Sequence, residues 1–206
     1  MGLYATYIFP RLMDWVMSGE EFHRLRTSLL KDVEGTVLEI GFGTGLNLAH
    51  YPHGILHLDV VDPAGFLPQR IAARIAAVPF AVQSHRNMAE ALPFDDAQFD
   101  SVVSTWTLCS LADPQKALGE IRRVLKPNGR FLFLEHGRSR DQRIAAWQDR
   151  LNPIQNIIGC GCHLNRRIDK LITSSGLRIE ALDRFQMETV PRLGGAMYRG
   201  WATPSA

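Results

Sequence analysis

The sequence predicts an α/β domain built on a mostly parallel sheet, and three observations predict it. Short apolar runs alternate with helix-length segments between residues 36 and 175, the pattern of strands joined by crossover helices. The run Thr36-Val37-Leu38 leads into Glu39-Ile40-Gly41-Phe42-Gly43-Thr44-Gly45, and Asp62 follows the next apolar run. A glycine-rich turn after one strand and an acidic residue after the next describe a nucleotide-like ligand at the mouth of a parallel sheet. The last two strand candidates alternate apolar and polar residues more regularly and are joined by residues 188–194, which reads as an antiparallel hairpin at the sheet's end.

Taken in order, residues 1–18 predict an amphipathic helix interrupted near Pro10, with Ile8, Leu12, Trp15 and Val16 on one face and Phe9, Met13 and Met17 widening it. Residues 20–32 continue as helix, with Phe22, Leu25, Leu29 and Leu30 on one side. Strands are expected at 36–41, 55–61, 79–83, 99–105, 130–135, 177–184 and 195–202, and helices at 45–50, 64–77, 114–125, about 140–156 and 164–175. The early strands are apolar on both sides, as buried parallel strands are. Asp113 and Pro114 open a helix as N-cap and first-turn residue, and Lys126-Pro127-Asn128-Gly129 stops it and turns the chain. A length of 206 residues suits one domain: residues 1–32 form an N-terminal helical lid and 33–206 the core.

Charge is nearly balanced at +2, from 23 basic and 21 acidic residues. With no basic extension, nucleic acid is not an expected partner. Cys109, Cys160 and Cys162 are too few for a secreted disulfide framework, so a reducing cytoplasm is expected. No apolar run reaches the roughly 18 residues of a membrane span, and the N-terminus lacks the pattern of a signal peptide. The cluster Gly159-Cys160-Gly161-Cys162-His163 offers three soft donors in five residues. Structural zinc sites use four ligands at wider spacing, so no metal is expected.

A glycine-rich turn alone also fits nicotinamide oxidoreductases. Four segments together narrow the choice: residues 37–45 above, Val61-Asp62-Pro63, the stretch Ala89-Glu90-Ala91-Leu92-Pro93-Phe94-Asp95-Asp96-Ala97-Gln98-Phe99-Asp100, and Arg122-Arg123-Val124-Leu125-Lys126-Pro127-Asn128-Gly129. In this order they make the chain resemble the class I S-adenosylmethionine (SAM)-dependent methyltransferases over residues 34–136. The resemblance implies a Rossmann-like fold with helices on both faces of a seven-stranded, mostly parallel sheet whose last strand is antiparallel. Thr107-Leu108-Cys109-Ser110, Leu134-Glu135-His136, and the stretch from Ile158 to Leu164 followed by Arg166 further resemble two groups. These are the methyltransferase-like 7 thiol methyltransferases and the small soluble bacterial phosphatidylethanolamine N-methyltransferases.

The resemblance assigns roles. Glu39 supports the glycine loop and the amino end of SAM. Gly41, Phe42, Gly43, Thr44 and Gly45 form that loop, and the following helix turns its amino end to the SAM carboxylate. Asp62 grips the ribose hydroxyls, and Pro63 lies beside the adenine. Met88 stands where the family commonly has Asp, so a thioether packs on the ring while Ala89 reads its edge and Glu90 follows. Thr105 and Trp106 line the transfer site. The acceptor's proton needs a base, and His136 and His163 are the candidates, with Glu135 orienting His136 or capping the following loop. Tyr4 and Tyr7 are placed to close over the acceptor, and Arg166 or Arg167 to meet an anionic group. The product is S-adenosylhomocysteine. Acceptors rank as a phospholipid amine first, a thiol second and a quinone-type ring third. The expected location is cytoplasmic, with peripheral contact at the inner membrane face through residues 1–18.

Overall fold

Strands that are apolar on both sides need a helix over each face, and this chain supplies them. The computed structural model describes residues 2–55 and 57–205. Seven strands, β1 (Val37–Ile40), β2 (His57–Val61), β3 (Ala81–His85), β4 (Phe99–Thr105), β5 (Leu125–His136), β6 (Leu177–Gln186) and β7 (Ala196–Pro204), form one sheet in the order β3-β2-β1-β4-β5-β7-β6. The first five pair in parallel, and β7 runs antiparallel between β5 and β6. This is the Rossmann-like sheet that the resemblance implies. Because β1 lies between β2 and β4, successive crossovers leave it in opposite directions and open a crevice at its carboxyl end.

The helices are α1 (Phe9–Val16), α2 (Glu20–Leu30), α3 (Pro68–Ala76), α4 (Pro114–Val124), α5 (Gln142–Ile158) and α6 (Ile168–Ser174). Leu38, Ile40, Val102, Phe131 and Phe133 point to one face of the sheet, where Leu118 and Ile121 of α4 and Ile168 and Ile172 of α6 cover them. Val37, Val103, Leu132 and Leu134 point to the other, under Phe22, Leu29 and Leu30 of α2. Asp113 caps α4 by accepting from the Lys116 amide at 3.0 Å.

Several boundaries differ from expectation. The strand expected at 55–61 includes Leu56, which lies outside the described residues, as do Met1 and Ala206. The third strand begins two residues late, at Ala81, as an edge strand with exposed Ala81, Ser84 and Gln83. Residues 126–129 stop α4 but continue as extended chain into β5, with the irregularity taken up between Phe99 and Ser101 of the neighbouring strand. The helix expected at 45–50 is only a three-residue 3-10 turn, Leu48–His50. Asn47 and Tyr51 both turn inward to hydrogen-bond the buried Glu39, and Pro52 follows, so a regular helix has no room to propagate. The glycine loop is therefore followed by a 3-10 turn and not by the expected helix N-terminus.

The N-terminal segment also departs from a simple amphipathic helix. A π-helical turn, Tyr4–Ile8, passes into α1, and Pro10 sits in the first turn of α1 where a missing N–H is harmless. The residues expected to share one apolar face divide between two. Phe9, Met13, Val16 and Met17 face an internal cavity, while Ile8, Leu12 and Trp15 are exposed.

Candidate active site

The cavity measures about 880 Å³ and opens at the carboxyl ends of the parallel strands, between Glu39 of β1, Val61 of β2, Thr105 of β4 and His136 of β5. That volume sits in the upper part of the range of about 300–1,000 Å³ usual for ligand pockets. Its roof is α1 on one side and Leu151, Ile154 and Ile158 of α5 on the other.

The glycine loop forms one end. Gly41, Gly43 and Gly45 all have left-handed backbones, with φ of 74°, 57° and 80°. A Cβ on Gly41 would sit 2.1 Å from the Thr107 hydroxyl, so glycine is required there. The Gly43 amide donates to Asp62 Oδ2 at 2.7 Å and the Ala64 amide to Oδ1 at 2.8 Å. Each carboxylate oxygen keeps a lone pair for a further donor, and burial raises the Asp62 carboxyl above its ordinary value.

Glu39 is buried beneath this loop. It accepts from Asn47 Nδ2 at 3.0 Å and from the Tyr51 hydroxyl at 2.8 Å, and burial pushes its carboxyl up to about 8. Arg26 of α2 reaches into the same cavity although it is only 2% exposed. Its Nε donates to Asn47 Oδ1 at 3.0 Å, its Nη1 to the Met17 carbonyl at 2.8 Å, and its guanidinium lies 4.9 Å over the Trp106 ring. Burial lowers its pKa to about 10. Trp106 itself is held in a left-handed conformation, φ 49°, a strained state for a bulky residue that needs surrounding structure to over-determine it.

The far end is softer. His136 Nε2 lies 3.0 Å from Cys162 Sγ, and one donor atom each from Cys109, His136 and Cys162 fall within 4.8 Å of one another. All three residues line the cavity. Contact with Cys109, then burial, pushes the Cys162 thiol upward.

The methyltransferase-domain family profile matches residues 38–133 of the chain. A thiol S-methyltransferase, TMT1B of Rattus norvegicus, is 38% identical over 179 residues, covering 78% of this chain and 71% of the relative. The chain belongs to the class I SAM-dependent methyltransferases. A phosphatidylethanolamine N-methyltransferase of Cereibacter sphaeroides is more distant, 28% identical over 61% of this chain and 62% of the relative. The solved structure of YcgJ from Bacillus subtilis superposes with a TM-score of 0.69 at 16% identity, over 89% of this chain and 99% of the other, a likeness of fold. The methyltransferase uses SAM as its donor.

The residues present fit that donor. Asp62 could accept from a ribose diol, and Glu39 with Arg26 offers an acid and a base for the ammonium and carboxylate of the amino-acid end. Glu90 lines the cavity and accepts from the Asp113 amide at 3.1 Å through Oε1, while its buried Oε2 has no partner among the described residues. That acceptor sits in the segment where Met88, half exposed at the cavity rim, cannot serve.

Of the residues expected at the cofactor, the cavity wall includes Glu39, Gly41, Phe42, Gly43, Thr44, Asp62, Pro63, Met88, Ala89, Glu90, Thr105 and Trp106. Gly45 is set back against Phe42 and Leu48 and shapes the loop. Of the four expected at the acceptor, only His136 reaches the wall. Tyr4 points its hydroxyl to the Ile158 carbonyl at 2.9 Å, and Tyr7 is exposed. Both ring nitrogens of His163 are occupied by the side chains of Asn152 and Asn156, each at 3.0 Å, which leaves it a strut rather than a base. Glu135 does not touch His136, because consecutive strand residues face opposite sides. It accepts from Ser104 Oγ at 2.7 Å and the Thr107 amide at 3.1 Å. Arg166 donates to the carbonyls of Leu108 and Leu111, so it steadies that loop instead of meeting a phosphate.

Sequence reasoning missed Arg26 and Asp14. Asp14 of α1 is buried and bonded to Thr44 Oγ1 at 2.6 Å, to Arg74 at 2.7 Å, and to Arg70. The readable signal was a charge placed on an apolar stripe: Arg26 falls four residues after Phe22 and before Leu30.

Proposed function

We propose that this methyltransferase moves the SAM methyl group to the sulfur of a small lipophilic thiol. The observation that carries the reading is the second half of the cavity, apolar along α1 and α5 and ending on Cys109, His136 and Cys162. The greater identity to the rat thiol enzyme than to the bacterial phospholipid enzyme supports the same ranking. It reverses the sequence-based order, which put a phospholipid amine first partly on the arginines of the last third, of which Arg166 is engaged with the carbonyls of Leu108 and Leu111.

In this reading Asp62 holds the ribose, Glu90 Oε2 and Ala89 the adenine edge, Met88 its face, and Glu39 and Arg26 the amino-acid end. SAM supplies a methyl group already activated on a sulfonium, so the protein's work is alignment and exclusion of water. Phe9, Met13 and Met17 provide the dry wall, and Trp106 with Thr105 sets the floor at the transfer point. We further propose that the outer faces of α1 and α5 rest on a lipid surface, from which lipophilic acceptors reach the cavity. Among the described residues no helix is long and apolar enough to cross a membrane.

The test is incubation with methyl-labelled SAM and either a panel of lipophilic thiols or phosphatidylethanolamine vesicles. Labelled thioether is the expected product. Label in phospholipid, with none on any thiol, would overturn the reading.

A further inference from the structure

The Cys109–His136–Cys162 corner is more ordered than an acceptor pocket alone requires. Its three donors come from separate elements: the loop after β4, the end of β5 and the loop after α5. They are stitched together from behind. The His163 amide donates to the Cys109 carbonyl at 2.9 Å, and the Gly161 amide to the Asn156 carbonyl at 2.8 Å. The His163 ring is clamped between Asn152 and Asn156, and the Leu164 amide donates to Asn152 Oδ1 at 2.9 Å. These bonds fix the two cysteine backbones relative to each other, and the methyl-transfer reading makes no use of them.

We propose that Cys109, His136 and Cys162 form a soft-metal site for Zn²⁺, with a fourth position open to the cavity that takes the sulfur of the acceptor. Zinc bonds to thiolate and imidazole at about 2.3 Å and 2.0 Å, which sets tetrahedral ligand–ligand edges of roughly 3.5–3.8 Å. The observed separations, 3.0 Å for His136 to Cys162 and at most 4.8 Å across the set, reach those edges with shifts of side-chain torsions. Two thiolates and an imidazole select a soft tetrahedral ion over Mg²⁺ or Ca²⁺. Three protein ligands with one open position is the pattern of a zinc site that does chemistry rather than one that only holds a fold. This set differs from the one the sequence offered: Cys160 is exposed, His163 is a strut, and the partners Cys109 and His136 are distant in the chain.

What fills the fourth position rests on the thiol reading above; the three-ligand site does not. On binding, the acceptor's S–H bond breaks, a sulfur–zinc bond forms, and the proton leaves to solvent. A lone pair of that sulfur then forms the bond to the methyl carbon as the carbon–sulfonium bond breaks. The thioether product is neutral, a weak ligand, and departs. No oxidant or further co-reactant is needed.

The experiment uses the full chain, purified with its thiols reduced, and titrates Zn²⁺ against a chromophoric chelator, then Co²⁺ as a spectroscopic probe. Expected are one equivalent of metal, a sulfur-to-cobalt charge-transfer band and tetrahedral visible bands. Cys162→Ser and Cys109→Ser should each weaken the metal by more than about 100-fold, beyond what loss of an outer partner does. Calorimetry with S-adenosylhomocysteine on the same variants reports that they are folded. A lipophilic thiol should change the charge-transfer band. Absence of stoichiometric metal in folded, reduced protein, or cobalt bands indifferent to both cysteine variants, overturns the site. Metal that binds as expected while no thiol alters the cobalt spectrum overturns the fourth-position claim and weighs against the thiol reading, with the three ligands upheld.

Discussion

Glu39 carries the clearest pH signature of any residue at the donor end. Burial raises its carboxyl from 4.5 to about 8, so in ligand-free protein at neutral pH it is mostly protonated. The folded state then keeps a proton that the unfolded chain has lost. The stability associated with neutral Glu39 is full below its unfolded value and fades as pH rises through about 8. A donor ammonium beside it favours the carboxylate, so S-adenosylhomocysteine binding at pH 7 is expected to release about one proton. Calorimetry in buffers of different ionisation enthalpy reads that proton, and Glu39→Gln should remove it. Heats independent of buffer in the wild type would exclude Glu39 as the ammonium's partner. Arg26 is tested by what it should ignore. Arg26→Met is expected to weaken S-adenosylhomocysteine about 10–100-fold, the loss of one or two charge-assisted bonds. It should leave 5′-deoxy-5′-methylthioadenosine, which lacks the amino-acid end, unchanged. Equal loss for both ligands would assign Arg26 to supporting Trp106 alone. The glycine loop and Asp62 were legible because their geometry is set within a few residues of chain. Arg26 was passed over, because a lone charge on a helix reads as solvated unless its place on the stripe from Phe22 to Leu30 is weighed.

At the scale of elements, a buried carboxylate ties α1 to the glycine loop and to α3. Asp14 is 3% exposed, and burial alone would raise its pKa. Hydrogen bonds from Arg74, Thr44 and Arg70 outweigh that and hold it below its ordinary value. The contribution of the clasp is therefore present above that ordinary value and lost as pH falls through the depressed one. Asp14→Ala leaves Arg74 facing the Thr44 carbonyl with no anion, and breaking such a network is expected to destabilise by about 2–4 kcal/mol. The loss should appear first as opening of residues 2–18. Limited proteolysis is expected to cut that segment well before the core, and S-adenosylhomocysteine should slow cutting in the wild type more than in the variant. Cleavage of the variant at the wild-type rate would show that apolar packing alone closes the lid. The segment's helical character was readable from its pattern, yet which apolar residues face inward was not. Apolar residues stand on both sides of the helix, and the buried Asp14 lies on the side that faces inward. The short turn at Leu48–His50 escaped for a related reason: its boundaries are set by tertiary bonds from Asn47 and Tyr51 to Glu39, which local propensity does not contain.

For the whole molecule, the antiparallel end followed from alternation and the seven-stranded sheet from the resemblance, but neither supplied the strand order, and the soft corner was not legible because Cys109, His136 and Cys162 meet only once the sheet has formed. The same assembly creates an outer surface that neither helix announces by itself. Leu3, Ile8, Leu12 and Trp15 on the N-terminal segment and Trp147, Ile154, Ile157 and Ile158 on α5 are all exposed. The Tyr4 hydroxyl on the Ile158 carbonyl ties the two segments together at one point, and Ile154 and Ile158 also border the cavity. The proposed lipid contact rests on these exposed apolar side chains lying on two segments that meet. Arg11 and Arg150 border it, the latter lying 5.3 Å over the Trp147 ring, which favours an anionic lipid surface. The other side of α1 lines the cavity, so a lipophilic acceptor leaving a bilayer on this face would meet α1 directly. Wild-type protein is expected to float with vesicles containing phosphatidylserine at low salt and to be released as salt rises. Trp15→Ser combined with Ile157→Ser should lower flotation at least about 10-fold, the loss of two interfacial side chains. It should leave S-adenosylhomocysteine affinity unchanged, because neither residue lines the cavity. Equal flotation of both forms would remove lipid as the occupant of this face.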